Sequence, residues 1–224
     1  ASGKGVKGNP ARAFDLYRRI INENDEIDPR HKRAEQVADA YVALGNYYRT
    51  GIPNLIDPDK LRAVALLHYA ASFYGSADAQ CDLAQMYLEG EGVKRNERLA
   101  VSWLANAAKK RHGRAQALLG DLLWHGSEKV ARQPAKGLAL LALAKQNAKG
   151  EAESRWIAVA YDGAYAESDE AVRERAVELS ALWQGRMGQA GKVLSAQSMP
   201  VGAGDDDSGA AVQDGITQVG LGSQ

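Results

Sequence analysis

The chain has 224 residues, with 28 Lys plus Arg against 28 Asp plus Glu and 45% hydrophobic residues. That length holds one large or two small domains with a real core, and the balanced charge gives no bulk attraction to nucleic acid or to an anionic membrane. The longest strongly apolar run, Leu138 to Ala144, is far too short to cross a bilayer, and a lone cysteine, Cys81, excludes an intrachain disulfide framework.

In chain order, "GKGVKG" (Gly3–Gly8) comes first. It has no preceding strand and no Walker or G-x-G-x-x-G spacing, so it reads as a flexible lead-in rather than a phosphate cradle. Residues Asn9 to Asn24 place Ala13, Leu16, Tyr17 and Ile20 on one face with Pro10 near the start, which predicts a helix suited to capping a helical array.

An internal repeat follows. "AYVALGNYYRTG" (Ala40–Gly51), "AQCDLAQMYLEG" (Ala79–Gly90) and "AQALLGDLLWHG" (Ala115–Gly126) align, and a weaker copy begins at Ser154 and Arg155. The anchors Tyr41, Gln80, Gln116 and Arg155 are spaced by 39, 36 and 39 residues, a 36-residue unit with short insertions. In each first helix a small residue (Gly45, Ala84, Gly120) follows a leucine, and a large residue comes one turn later, which lets a neighbouring helix approach closely.

Second helices carry Ala100, Trp103, Ala107 and Ala108 on one stripe, with Val64, Leu67 and Ala71, and then Ala139 and Ala142, as the expected equivalents. Between the two helices of the middle copy, "GEGV" (Gly90–Val93) is a corner, its first glycine a left-handed helix cap. Downstream, Val172, Ala176, Leu179 and Trp183 form a stripe suited to closing the far end. Beyond Gly185 the composition turns to Gly, Ser, Ala and Asp without period, and a disordered tail is expected over 186–224. "GAGDDDSG" (Gly202–Gly209) lacks the calcium-loop spacing.

The pattern Ala-x-x-x-Leu-Gly-x-x-Tyr-x-x-Gly-x-Gly-Val, then Ala-x-x-Trp-x-x-x-Ala-Ala, resembles the Sel-one-like repeats, relatives of the tetratricopeptide repeats. The copy from Ala79 to Ala108 carries nearly every signature position, whereas Gly51–Asp59 and Gly126–Pro134 replace the short corner with longer loops. The resemblance implies an all-α right-handed solenoid of about four helix pairs over 35–185, behind a lead-in and cap helix over 1–34. The opening helix "ARAFDLYRRI" (Ala11–Ile20), the small set of repeats and the polar Gly-rich tail further resemble the ExoR-type regulators. Those are periplasmic repeat proteins that hold a two-component sensor kinase inactive, and regulated proteolysis releases the kinase. The resemblance therefore implies a periplasmic negative regulator of exopolysaccharide and motility genes. Its partners would be the periplasmic domain of a sensor kinase and a regulatory protease.

No catalytic constellation emerges. His31, His68, His112 and His125 fall at different repeat positions without two-ligand spacing, Cys81 has no adjacent histidine, and the carboxylates lie among Lys and Arg on helix surfaces. The basic segment Lys94–Arg114 is interrupted by a core stripe and lacks aromatic interleaving, so it reads as an outer surface rather than a nucleic-acid track. A non-catalytic interaction module is expected, with no cofactor, metal, nucleic acid or membrane insertion. A scaffold of an envelope complex and a repeat-fold hydrolase are the alternatives. In tetratricopeptide geometry the first helices line the concave face, which makes Arg49, Gln85, Leu88, Glu89, Asp121, Trp124, His125 and Trp156 the candidate partner-binding residues. Leu88, Trp124 and Trp156 would be exposed apolar anchors within a polar surround, whereas Tyr87 and Trp103 belong to the repeat's own core.

Overall fold

The structure, a computed structural model, describes residues 9–24 and 27–193. The lead-in Gly3–Gly8 and the tail beyond Val193 lie outside the described residues. Nine helices run in order among those described: α1 Pro10–Asn24, α2 Ala34–Thr50, α3 Lys60–Ser72, α4 Ala77–Glu89, α5 Glu97–Lys109, α6 Gly113–His125, α7 Pro134–Asn147, α8 Glu151–Glu167 and α9 Glu170–Val193. The fold class is all-α, as the repeat predicts. Among the described residues no helix is long and apolar enough to cross a membrane.

Sequence signals set the helix boundaries. Side chains of Asp59, Ser76, Asn96 and His112 each accept from a backbone N–H of the following helix, which satisfies one of the donors that helix geometry orphans. Asn9 does the same for α1, with Arg12 N–H donating to its Oδ1 at 3.0 Å. At the other end of α4, Gly90 adopts the left-handed cap conformation. Gly92 also has positive φ, and a Cβ there would stand 2.5 Å from the Lys60 carbonyl oxygen, so only glycine turns this corner. The longer loop after α2 is closed by reciprocal backbone bonds between Ile52 and Ile56, at 2.8 and 2.9 Å.

The chain forms two compact units, one reaching to Arg95 and the other starting at Asn96. In the first, α2 packs along α3, with Leu44, Leu67, Leu83 and Met86 fully buried. In the second, α6 packs along α7 through close contact of glycines: a Cβ on Gly137 would meet Trp124 N at 2.7 Å and Gly120 O at 2.8 Å. The anchor glutamines tie each first helix to the preceding second helix. Gln80 Nε2 donates to Ala71 O and Gln116 Nε2 to Ala108 O, both at 3.1 Å, which satisfies carbonyls at the C-terminal ends of α3 and α5.

Three expectations need correction. The second-helix register is shifted by one residue: the N-caps Asp59 and Asn96 align, so the buried sets are Ala63, Leu67 and Ala70, then Ala100, Leu104 and Ala107, then Gly137, Leu141 and Ala144. Leu104, not Trp103, holds the innermost position, and Trp103 is half-buried. The fourth pair is irregular. Both α8 and α9 pack against α7, where Ala176 is buried and Val172, Leu179 and Trp183 lean on the same core. Helix α8 offers no close glycine for a partner helix, since its Gly163 faces open space. Finally, α9 runs through residues 186–193, beyond the expected tail boundary. Arg186, Met187, Gln189, Ala190 and Lys192 are good helix formers and outweigh Gly188 and Gly191.

Candidate partner-binding surface

The eight candidate residues fall four to each unit. In the first unit Arg49, near the end of α2, reaches the end of α4 and the corner behind it. Its Nη2 lies 2.8 Å from Glu89 Oε2 and its Nε 2.5 Å from Glu91 Oε2, while Lys60 Nζ binds the other Glu91 oxygen at 2.8 Å. Glu91 thus joins α2, α3 and the Gly-x-Gly corner. The hydrogen bonds from Lys60 and Arg49 hold its carboxyl below the usual range. Arg49 is the less exposed partner, its side chain 17% accessible against 51% for Glu89. Leu88 and Gln85 sit half-buried beside this network. Glu91, Lys60 and Asp82, which accepts from Asn46 Nδ2 at 2.9 Å, were not among the expected site residues. Glu91 is the variable letter of the corner motif, and only its acidity opposite two basic residues hints at the role.

In the second unit Asp121 and His125 stand one turn apart on α6, both exposed, with His125 Nδ1 3.4 Å from Asp121 Oδ1. The expected apolar anchor between them is not at the surface. Trp124 is 4% exposed and belongs to the core with Leu138, Leu141 and Ile157. Arg132 covers its ring, the guanidinium carbon 5.4 Å from the ring centroid, and the Arg132 Nε donates to the Trp124 carbonyl at 2.8 Å. The reason for the inward turn is Gly137, whose missing side chain lets α6 and α7 close together at Trp124. Trp156, by contrast, is 37% exposed and stands one residue before the fully buried Ile157. Exposed apolar groups continue along the same part of the chain at Val159, Tyr165 and Leu182.

Of the histidines, His112 caps α6 and His31 Nδ1 accepts from Arg33 N–H, which gives both a local structural role. Burial pushes the His68 imidazole pKa down. Cys81 is buried in α4.

The Sel1 repeat family model matches residues 1–25, 38–72, 77–112 and 113–148. The match takes in the segment expected to be lead-in and cap helix, and it ends before α8. An exopolysaccharide production negative regulator of Rhizobium leguminosarum bv. viciae is 33% identical over 183 residues, 80% of this chain and 65% of that protein. A second protein of that name, from Rhizobium meliloti (strain 1021), is 31% identical over 181 residues with the same coverage. The chain therefore spans about two thirds of the length of the relatives it matches, 65% in both cases. The crystal structure of a protective antigen of uropathogenic Escherichia coli, which displays an SLR fold, superposes with a TM-score of 0.52 at 17% identity, over 89% of this chain and 51% of that one. That likeness identifies the fold as an α-solenoid of Sel1-type repeats.

Proposed function

The chain belongs to the Sel1 repeat family, and we propose that it is a non-catalytic negative regulator of exopolysaccharide production that works by binding the periplasmic domain of a two-component sensor kinase. The observation that carries this reading is the 33% identity, over four fifths of the chain, to a protein named for that regulatory role. Helical repeats supply extended protein-binding faces, and the regulator resemblance in the opening helix supplies the kind of partner and the periplasmic setting. Each unit offers its own element for a partner: in the second, Trp156 as an apolar anchor, and in the first, the charged end of α4, where Glu89 is exposed and held by the less accessible Arg49. In this reading bound regulator keeps the kinase inactive, and loss of the regulator by proteolysis releases it.

The test is titration of the purified chain against the periplasmic domains of the sensor kinases encoded in its own genome. One of them is expected to bind, and Trp156→Ala is expected to weaken that binding about 30-fold with an unchanged melt. Absence of binding to every such domain overturns the proposal. Capture of an envelope complex instead points to a scaffold.

A further inference from the structure

We infer that the outward face of α8 pairs with the same face of a second copy of this chain, the two helices running antiparallel. The inference does not depend on the regulatory reading, and a sensor domain anchored on Trp156 would compete with it.

Helix α8 is apolar on two sides. Ile157 and Ala164 are buried in the core of the second unit. On the opposite side Ala152, Trp156, Val159, Gly163 and Ala166 recur at alternating spacings of four and three, which sets them on one face, and all five are exposed. Val159 is 70% and Trp156 37% exposed, so large apolar groups of this face stand in water. That period is the pattern of a seam between two helices.

Gly163 marks where the seam comes closest. Glycine inside a helix costs about 1 kcal/mol relative to alanine. Elsewhere in this chain the cost accompanies close contact: a Cβ on Gly45, Gly120 or Gly137 would stand 2.8, 2.9 or 2.7 Å from an atom of a neighbouring helix. At Gly163 nothing stands within 4 Å among the described residues. Helix α8 thus carries an unfilled hollow, and two turns earlier on the same face an exposed indole.

A second copy supplies the match for both. Reversing a second α8 about Val159 sets Ala152 against Ala166, and brings Trp156 within one residue, about 1.5 Å of helix rise, of the level of Gly163 in the copy. The same reversal brings Arg155 equally near Asp162. Antiparallel helices present like flanks to each other, so these opposite charges meet twice, once on each side of the two-fold axis. Their present ion pairs, with Glu151 at 2.9 Å and Lys145 at 3.2 Å, are exposed and worth little. Parallel pairing would instead set Trp156 on Trp156 and Asp162 beside Glu167. On the other flank of the antiparallel pair Glu167 nears Glu153 of the copy. This like charge and the small area of a single-helix contact make the dimer weak, with a dissociation constant on the order of 100 μM.

The test is sedimentation equilibrium of the 224-residue chain from about 10 μM to about 1 mM, where dimer is expected at the upper end. Gly163→Leu fills the hollow and is expected to weaken association at least about tenfold, with an unchanged or higher melt because the monomer leaves that site open. Arg155→Asp alone is expected to weaken association about threefold, and the exchange of both charges, Arg155→Asp with Asp162→Arg, to restore it. Val159→Cys faces itself across the two-fold axis and is expected to form an intermolecular disulfide in air, whereas Val177→Cys on the exposed side of α9 is not; Cys81 is buried and stays silent. A chain that stays monomeric at the highest concentration overturns the inference. So does association that Gly163→Leu leaves intact, which marks another face. Slow maleimide labelling of Val159→Cys in dilute monomer overturns it as well, since a segment of the same chain would then cover the face, and so does protection conferred only by an added sensor domain.

Discussion

Leu67 seats its side chain directly on Gly45: a Cβ at Gly45 would stand 2.8 Å from Leu67 Cγ and 3.1 Å from its Cδ2. Leu67 is fully buried and cannot swing away without displacing its neighbours. Gly45→Ala gains about 1 kcal/mol of helix propensity but forces an overpacked core, and a net loss of about 1–2 kcal/mol is expected. Gly137→Ala is expected to cost about 2–3 kcal/mol, because its added carbon would meet Trp124 and Gly120 backbone atoms, which a rotamer change cannot move. Urea unfolding of both variants measures the order.

The two tryptophans expected as exposed apolar anchors should behave differently. Trp124→Ala removes a buried ring from the α6–α7 core and is expected to lose about 3–5 kcal/mol, with binding falling in step with the folded fraction. Trp156→Ala removes a side chain that is 37% exposed, and a smaller loss, under about 2 kcal/mol, is expected. Paired melts and binding isotherms separate the two. Equal destabilisation would place Trp156 in the core.

The contrast shows what can be read from letters. Period, corner glycines and the Leu-small pair announce the helical repeat, because a chain that turns and repacks at fixed intervals must repeat small residues there. Burial of Trp124 depends on Gly137, thirteen residues later and on another helix, so a helical wheel of α6 alone points the ring outward. The clue was a glycine inside "PAKGLALL", which intrinsic propensity would disfavour and close helix contact explains. Similarly, Gly3 and Gly5 stand in the phase of Gly90 and Gly92, a corner pattern that shows only against the repeat and not within the glycine-rich stretch alone. The Arg49–Glu91–Lys60 network joins three elements at variable repeat positions, and only packing brings them together.

That network gives a pH dependence with a defined sign. Lys60 and Arg49 hold the Glu91 carboxyl below its ordinary 4.5 in the folded chain. A depressed folded pKa means that the ionised form stabilises the fold above the ordinary value, and that this contribution disappears as pH falls through the folded value. Wild type is therefore expected to melt higher than Glu91→Gln at pH 7, and the gap to close in strongly acidic buffer. A gap that persists there would show that the carboxylate charge is not the source.

Ser127 makes the last test, because one hydroxyl organises the loop between α6 and α7. Its Oγ donates to the Glu97 carboxylate at the start of α5, and accepts from the N–H groups of Lys129 and Val130 at 3.3 and 3.1 Å. Ser127 N–H closes the same turn on the Val130 carbonyl at 2.8 Å, and Val130 is buried beneath it. Glu97 is itself 9% exposed in the first turn of a helix, where the N-terminal dipole favours its charge. Ser127→Ala removes the donor to a largely buried carboxylate and the acceptor for two backbone groups, so a loss of about 1–3 kcal/mol is expected. The turn should also open more often, which exposes Lys129 to trypsin faster than in wild type. Ser127→Thr keeps the hydroxyl and is expected to restore most of the protection. Equal melts and equal cleavage at Lys129 in wild type and Ser127→Ala would mean that the turn is held by Val130 burial alone.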